Sequence, residues 1–258
     1  MTGVQTCALP IYPISLLSAY FTYNSGRGML GSQTWTPVPA ISQALMDAFY
    51  LSFGTLVPTK QRTLHCIDAS GSMQGEKFLN SITSAVAVAQ AAAMTTGIRV
   101  QISLRGTDST IGGKERAVTI YAYDSAHDKL SKIRNYFKYL STFGCTPEGI
   151  AFKSIEQDIK QDAKGDECIF VNYSDGYPTN VSGCAYQYDG VGFTRRVING
   201  FRELGINIVS YFITCSYSGD DCSDTFRRMY GVDSKFIDPK NMNEVARTLN
   251  SKFLEIAQ

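Results

Sequence analysis

The stretch TLHCIDASGS occupies residues 63–72 and determines the predicted fold of this chain. Residues 63–67 form a strand-like run and are predicted to be the first strand. Asp68, Ser70 and Ser72 then follow at alternate positions. Gly71 allows the loop that carries them to turn tightly. Side chains two positions apart on an extended segment face the same side, so both serine hydroxyls are expected to point inward.

Downstream of this stretch, segments with helical periodicity alternate with strand-like runs. The predicted elements are helix 75–94, strands 99–104 and 117–123, helices 128–140 and 147–163, strand 167–173, helix 191–204, strand 206–213, helix 225–230, strand 235–237 and helix 241–256. Apolar and polar residues alternate in 99–104, which indicates a strand with one exposed face, and 117–123 is its expected hairpin partner. The dense apolar run 167–173 is expected at the centre of a parallel sheet. This order predicts an α/β fold with a Rossmann-like, doubly wound sheet.

Two further polar loops are expected at the same sheet edge as Asp68. Ligands of open α/β sheets bind at the carboxyl ends of the strands. Thr146 follows the predicted helix 128–140, and Asp175 follows the central strand. Mg²⁺ prefers oxygen ligands in octahedral geometry. The sequence therefore predicts a site for Mg²⁺ or another divalent cation, formed by Asp68, Ser70, Ser72, Thr146 and Asp175.

Each of the three loops, taken alone, has an ordinary structural explanation. Asp or Ser after a strand often caps the next helix. Thr146-Pro147 is a common helix start, and Asp175-Gly176 is a common turn. The three loops in this order are more specific than any one of them. Two carboxylates and three hydroxyls would leave the ion partly unsatisfied, so an acidic group of a ligand could complete its coordination.

The composition indicates a globular protein whose net charge favours neither a nucleic acid nor another strongly charged partner. Apolar residues make up 44%, charged residues 18%, and the net charge is +1, so any RNA contact would have to be local. The seven cysteines include no C-x-x-C pair and there are two histidines, which argues against a zinc site. Their odd number and irregular spacing favour a reducing, cytoplasmic environment. No apolar run approaches the ~20 residues of a membrane helix, so no membrane partner is expected.

Individual cysteines have distinct expected roles. Cys66 and Cys168 lie in strand-like runs and are expected to pack as small apolar residues. Cys215 and Cys222 could pair, although free thiols are the preferred interpretation.

The N-terminal residues need a separate interpretation. Residues 1–11, MTGVQTCALPI, resemble the in-frame translation of a sequencing-library adapter joined to the gene near Tyr12, and are excluded from the fold. On this interpretation, Cys7 is not native and the true N-terminus lies elsewhere. Helical patterns at 12–25 and 40–53 are expected to form the end of a helical domain, with its linker reaching residue 62. Residues 63–258 are then the α/β domain.

Together, the three polar loops resemble the metal-ion-dependent adhesion site of von Willebrand factor A-type domains. The resemblance covers about residues 63–256. It implies a sheet flanked by helices, with Mg²⁺ or a similar ion at its top, and ligand binding rather than catalysis.

Residues 12–62 resemble the junction between the helical TROVE domain and the A-type domain of Ro ribonucleoproteins. The matching segments are residues 23–31, Trp35-Thr36-Pro37, residues 44–50 (ALMDAFY) and Val57-Pro58-Thr59. The resemblance implies a ring of helical repeats that binds small non-coding Y RNAs outside and single-stranded 3′ ends of defective RNAs in its hole. It also implies a role in RNA quality control, sometimes with an exoribonuclease.

Two departures leave a second hypothesis open. Most of the helical ring is absent from this sequence, and its RNA-contacting residues have no counterpart here. The loops at 146–149 and 174–178 resemble instead the A domains of chelatase-type AAA+ partner subunits. The alternative function is therefore a metal-dependent protein-interaction domain. An enzyme is not expected, because no histidine base, nucleophile motif or phosphate-binding loop accompanies the carboxylates.

Local candidates for RNA contact are basic residues interleaved with tyrosines. Lys129, Lys132, Arg134 and Lys138 alternate with Tyr136 and Tyr139 in the predicted helix 128–140. The preferred interpretation is a solvated basic face over a buried aromatic stripe. Arg195-Arg196 and Arg227-Arg228 are expected to be surface pairs.

Overall fold

The structure is a computed structural model that describes residues 61–93, 97–108, 116–162, 167–179, 189–213, 220–237 and Val245. The interpretations of residues 1–11 and 12–60 lie outside these residues, as does the helix expected at 241–256 apart from Val245.

Strands and helices alternate along the described chain. Its main elements are β1 (Gln61–Asp68), α1 (Glu76–Ala92), β2 (Ile98–Asp108), β3 (Arg116–Asp124), α2 (Ser131–Tyr136), α3 (Glu148–Asp162), β4 (Glu167–Ser174), α4 (Gly190–Glu203), β5 (Asn207–Ile213), α5 (Asp220–Tyr230) and β6 (Ser234–Ile237). The strands form one sheet in the order β3-β2-β1-β4-β5-β6. Neighbouring strands are parallel except β2 and β3, which form the expected antiparallel pair. The predicted Rossmann-like, doubly wound α/β fold is confirmed.

Helices cover both faces of this sheet. On one face, α1 packs Phe78 and Ile82 against β-strand residues such as Val171. On the other face, α3, α4 and α5 pack around a second core that includes Phe152 and Phe170, whose rings meet edge-on at 5.0 Å. Cys66 and Cys168 are buried free thiols of this second core, which confirms their expected packing.

Several predicted elements differ from those observed; α5, for example, begins at Asp220 rather than at residue 225. The expected exposed face of β2 is found only in part: Arg99 and Gln101 are half-buried, whereas residues 102–107 are buried and both α1 and α3 contact the strand. The expected helix 128–140 is also too long. Residues 124–128 form a turn, in which the Asp124 amide donates to Asp128 Oδ2 at 2.9 Å. Only Ser131–Tyr136 is α-helical, followed by a 3-10 turn at Phe137–Tyr139.

Among the described elements, each helix is too short or too polar to cross a lipid bilayer.

Candidate metal centre

The first polar loop folds back on the end of β1. Asp68 is the last residue of β1, and its Oδ1 atom accepts a hydrogen bond from the Ser70 amide at 2.8 Å. The Ser70 and Ser72 hydroxyl oxygens then lie 3.0 Å apart. A 3-10 turn at Gly71–Met73 buries Met73 and leads into α1. The two serines therefore face the same side, as their spacing predicts.

The loop after β4 reaches the first loop through Asp175. Asp175 Oδ1 accepts a hydrogen bond from the Ser72 hydroxyl at 2.9 Å. Gly176 follows with a φ of +120°, and a Cβ atom at this position would overlap the ring of Phe212. Glycine is thus required for the sharp turn that presents Asp175 to the first loop.

The third loop is joined to the first by backbone hydrogen bonds. The Phe143 amide donates to the Ala69 carbonyl at 2.5 Å, and the Gly71 amide donates to the Gly144 carbonyl at 3.0 Å. Gly144 has a φ of +60°, and a Cβ atom here would collide with the carbonyl oxygen of Thr107. The loop therefore packs closely against both β2 and the first loop.

Thr146 is held on this third loop by the segment that follows Asp175. The Thr179 amide donates to the Thr146 carbonyl at 2.8 Å, and the Thr146 amide donates to Thr179 Oγ1 at 3.3 Å. All three polar loops are therefore linked to one another by hydrogen bonds.

The three loops enclose a cleft of about 460 Å³ at the carboxyl edge of the sheet. Residues lining this cleft are Ser70, Gly71, Ser72, Lys77, Gly144, Cys145, Thr146, Asp175, Tyr177, Thr179 and Cys222. Four of the five predicted metal ligands are among them. The fifth, Asp68, is fully buried behind Ser70.

The oxygen donors of the cleft fit a hard cation better than a soft one. The hydroxyls of Ser70, Ser72 and Thr146 lie with the Asp175 carboxylate in the cleft lining, and the Asp68 carboxylate lies behind them. Within the described residues, no group of three or more His, Cys, Asp and Glu side chains is placed to hold a metal. A bound ion would thus depend mainly on hydroxyl oxygens.

Lys77 is a cleft residue that the sequence analysis missed. Its Nζ lies 2.6 Å from Asp175 Oδ2 and donates to the Ser72 carbonyl at 2.9 Å. The Lys77 side chain is 14% exposed and that of Asp175 8%. Lys77 is the second residue of α1, so the sequence places a cation five positions after Ser72, a signal that could have been noticed.

A second polar cluster lies directly behind the cleft, and we call it the buried network. It consists of Asp68, Arg105, Glu148, Asn172, Ser174 and Tyr230. Arg105 lies opposite Asp68 in the β1–β2 register, and its guanidinium is 2.7 Å from Glu148 and 3.9 Å from Asp68. Arg105 and Asp68 are both fully buried.

Burial and neighbouring charges shift the pKa values of Asp68 and Arg105 in the buried network. Burial raises the pKa of Asp68 to about 6, although the nearby Arg105 opposes this shift. Burial by itself would lower the pKa of Arg105, but the charge of Glu148 holds that pKa well above its usual value. Arg105 therefore stays protonated and compensates the buried carboxylates.

Neutral side chains complete the hydrogen bonding of Glu148 and Asp68. Asn172 Nδ2 donates to Glu148 Oε1 at 3.2 Å, and the Tyr230 hydroxyl donates to the same oxygen. The Ser174 hydroxyl donates to Asp68 Oδ2 at 3.0 Å. The network thus connects β1, β2 and β4 with α3 and α5. Its members are scattered over five elements, so no local motif revealed it. The available signal was polar residues, such as Asn172, inside otherwise apolar strands.

The tyrosines on the surface around α2 are exposed, whereas the sequence predicted that they would be buried. Tyr136 and Tyr139 are each 60% exposed, so the expected buried aromatic stripe is wrong. The short helix and its 3-10 extension bury Ile133 and Phe137 instead, which leaves both tyrosines in solvent. Lys138 Nζ lies 5.1 Å from the centre of the Tyr139 ring. The arginines 195, 196, 227 and 228 are exposed, as expected for surface pairs.

Cys145 and Cys222 line the cleft, and neither forms a disulfide. The free state of Cys222 agrees with the preferred interpretation, and Cys215 lies outside the described residues.

Curated proteins match a short part of this chain, and two of them are RNA-binding proteins. The RNA-binding protein RO60 of Deinococcus radiodurans is 44% identical over 63 residues, which are 24% of this chain and 12% of that protein. The RNA-binding protein RO60 of Caenorhabditis elegans is 46% identical over 63 residues, again 24% of this chain and 10% of the relative. The matched stretch thus spans about a tenth of each relative. No protein-family model matches the chain.

Solved structures resemble the fold over a longer range. The match to a crystal structure of the pilus adhesin SpaC from Lactobacillus rhamnosus GG covers 77% of this chain and 31% of the SpaC chain, with a TM-score of 0.56 and 13% identity. The match to the open conformation of SpaC has a TM-score of 0.58 at 12% identity, and covers 77% of this chain and 30% of the SpaC chain. At such low identity, the likeness concerns the fold alone.

Proposed function

We propose that this chain is the C-terminal part of a cytoplasmic, Ro-type RNA-binding protein that contains a TROVE domain. The similarity to two RO60 proteins, at about 45% identity over 63 residues, is the observation that carries this proposal. The partner would be non-coding RNA, bound chiefly by helical repeats outside this sequence. The proposed role is binding rather than catalysis.

We further propose that residues 63–258 form a von Willebrand factor A-type domain that binds Mg²⁺ or a similar divalent cation. Ser70, Ser72, Thr146 and Asp175 would supply oxygen ligands, and Asp68 would hold the first loop in place. The support is that the three predicted loops meet at one cleft. When bound, the ion would supply a positive centre for an anionic ligand.

The local charges favour an anionic ligand once the ion is present. Three carboxylates, those of Asp68, Glu148 and Asp175, lie near two cationic side chains, Arg105 and Lys77. They leave one net negative charge, so a divalent ion would make the site positive. A carboxylate or phosphate group could then bind at the cleft.

Thermal unfolding with and without Mg²⁺ tests the metal proposal. Mg²⁺ should raise the melting temperature of the chain, because a ligand that binds only the folded state stabilises it. Ser72→Ala should abolish or greatly reduce this response, and Asp68→Ala should do the same if it folds. Ser154→Ala removes an exposed hydroxyl on α3 and serves as the control. An unchanged Mg²⁺ response in Ser72→Ala would refute the ligand assignment.

Titration with structured RNA that carries a single-stranded 3′ tail tests the RNA proposal. The complete gene product should bind this RNA with an affinity that falls steeply as salt increases, because phosphate contacts release counterions. Salt-insensitive or undetectable binding by the complete product contradicts the Ro-type role.

The α2 surface is a local candidate for contact with single-stranded RNA. Tyr136 and Tyr139 offer exposed rings on which bases can stack, beside Lys138. The double variant Tyr136→Ala/Tyr139→Ala should weaken binding of the tailed RNA by at least about fivefold, since one stacked base contributes roughly 1–3 kcal/mol. Tyr121→Ala, a tyrosine on β3 that is 40% exposed and does not line the cleft, is the control and should bind normally.

The alternative function is a metal-dependent protein-interaction domain, such as a partner subunit of an AAA+ ATPase. The observation that favours it is the exposed Tyr177 beside Asp175 at the cleft, next to the proposed ion. On this hypothesis, an acidic side chain of a protein partner, such as an exoribonuclease in the Ro case, would bind the ion. Mg²⁺-dependent binding of a protein without any RNA affinity of the complete gene product would support it over the Ro-type role.

A further inference from the structure

We propose that Lys77 is a tethered cation that competes with the divalent ion for Asp175 and thereby sets the metal affinity of the cleft. This inference rests on the proposed metal-binding function and concerns a residue outside the five assigned ligands.

The position of the Lys77 ammonium group carries the proposal. It contacts two atoms of the metal loops, Asp175 Oδ2 at 2.6 Å and the Ser72 carbonyl at 2.9 Å. The other oxygen of Asp175 already accepts from the Ser72 hydroxyl. An ion held by Asp175 and Ser72 would therefore lie close to the ammonium group. Like charges at such separations repel, and the partly buried position weakens screening by water.

The place of Lys77 in the sequence is unfavourable for helix stability. It is the second residue of α1, where the positive end of the helix dipole disfavours cations and favours acidic residues such as the adjacent Glu76. The contact with Asp175 offsets this cost. A lysine at this position is therefore better explained by its contact across the cleft than by the helix itself.

Other lysines of the described chain form a useful contrast. Lys132 pairs with Asp128 four residues before it, and Lys153 pairs with Glu156 three residues after it; these two lysine side chains are 33% and 57% exposed. Lys77 pairs instead with a residue 98 positions away, in a contact where both side chains are largely buried. The contact links α1 to the loop after β4, so any change at Asp175 on ion binding must involve Lys77.

Calorimetric titration of the full chain with Mg²⁺ alone tests the inference. Lys77→Met removes the charge and keeps most of the side-chain stem, and it should bind Mg²⁺ at least about tenfold more tightly than the wild type. Lys77→Gln should behave in the same way and provides a second variant if the first does not fold. Lys77→Arg keeps the charge and should remain close to the wild type. Lys132→Met, which breaks a surface pair, is the matched control.

Thermal unfolding distinguishes competition from a merely structural role. In the presence of a chelator, Lys77→Met should melt below the wild type, because the Asp175 carboxylate has lost its cation. In Mg²⁺, the same variant should show a larger rise in melting temperature than the wild type. A structural role alone predicts the lower melting temperature without the larger response.

The outcomes separate this inference from the function on which it rests. If the wild type binds Mg²⁺ and Lys77→Met binds it equally or more weakly, Lys77 is not a competitor, and the metal function stands. If no variant binds Mg²⁺, the metal function fails and the role of Lys77 fails with it.

Discussion

The buried network and the cleft share one edge of the sheet but differ in their access to solvent. Both contain carboxylates, hydroxyls and a cationic side chain. In the buried network, Arg105 and Glu148 are closed off from solvent and hydrogen-bonded to neighbours on several elements. In the cleft, Ser72 and Asp175 face an open volume of about 460 Å³. Polar residues at a strand end therefore serve stability when they are enclosed and can serve binding when they are not.

This comparison predicts that similar changes have unequal effects in the two regions. Removing one partner from a buried ion pair leaves an uncompensated charge away from water, whereas water can replace a lost partner in the cleft. Four measurements of stability follow: three are made within these two regions, and one concerns His65, a buried residue of β1 outside both.

The largest expected effect is that of Glu148→Gln in the buried network. The change leaves the Arg105 guanidinium without its closest counter-charge, and should lower the free energy of unfolding by about 3–5 kcal/mol in chemical denaturation. Glu156→Gln on the same helix is the control, because Glu156 pairs only with the exposed Lys153 and Lys160 in the described chain. The control should lose less than about 1 kcal/mol. Equal losses would mean that the network is not specially sensitive.

A smaller loss of stability is expected from a change at Gly144, where the third cleft loop packs against β2. Gly144→Ala places a Cβ atom against the Thr107 carbonyl at a positive φ, and should cost about 2–4 kcal/mol of unfolding free energy. Gly205→Ala is the matched control, since Gly205 has a φ of +78° with nothing within 4 Å of the added atom. It should cost only about 1–2 kcal/mol, the strain of the backbone conformation. A larger loss at Gly205 would contradict the close packing of the loops.

The third prediction concerns the pH dependence of stability through His65. This β1 side chain is buried near Tyr173, and burial lowers its pKa to about 3. The unfolded chain binds a proton at about pH 6.5 and the folded chain does not, so acidification favours unfolding between these two values. From about pH 7 to about pH 5, the wild type should lose about 2 kcal/mol more than His65→Gln.

Denaturant unfolding at several pH values measures this difference. Subtracting the variant from the wild type removes the contribution of Asp68, whose raised pKa acts in the opposite direction. Parallel pH profiles of the two proteins would show that His65 is not buried in its neutral form.

The smallest expected effect compares one chemical change in both regions. Ser174→Ala removes a hydroxyl that donates to the buried Asp68, and should cost about 1–2 kcal/mol of unfolding free energy without metal. Ser72→Ala removes a hydroxyl from the cleft, and should cost about 0.5 kcal/mol under the same conditions. A larger loss for Ser72→Ala would mean that the cleft is a structural element in its own right.

The sequence predicted the fold more completely than the site. Strand runs such as residues 167–173 are apolar because both sheet faces are covered, and this local pattern is easily recognised. The cleft residues follow short motifs after β1 and β4. Arg105 could not be anticipated, because it lies one residue beyond the predicted strand 99–104 and acquires its partner only when α3 brings Glu148 to it. Tertiary packing, not local sequence, also decides that Tyr136 is exposed.

The pairing of Arg105 with Glu148 has a consequence for how this sequence can change over generations. Replacing both by well-packed apolar residues could be neutral or even favourable, whereas replacing either alone is expected to be harmful. A lineage would have to cross an unstable intermediate, or acquire both mutations together, to lose the pair. Relatives that keep this arrangement should therefore vary at the two positions jointly, and a homologue that lacks one of these residues should lack the other as well.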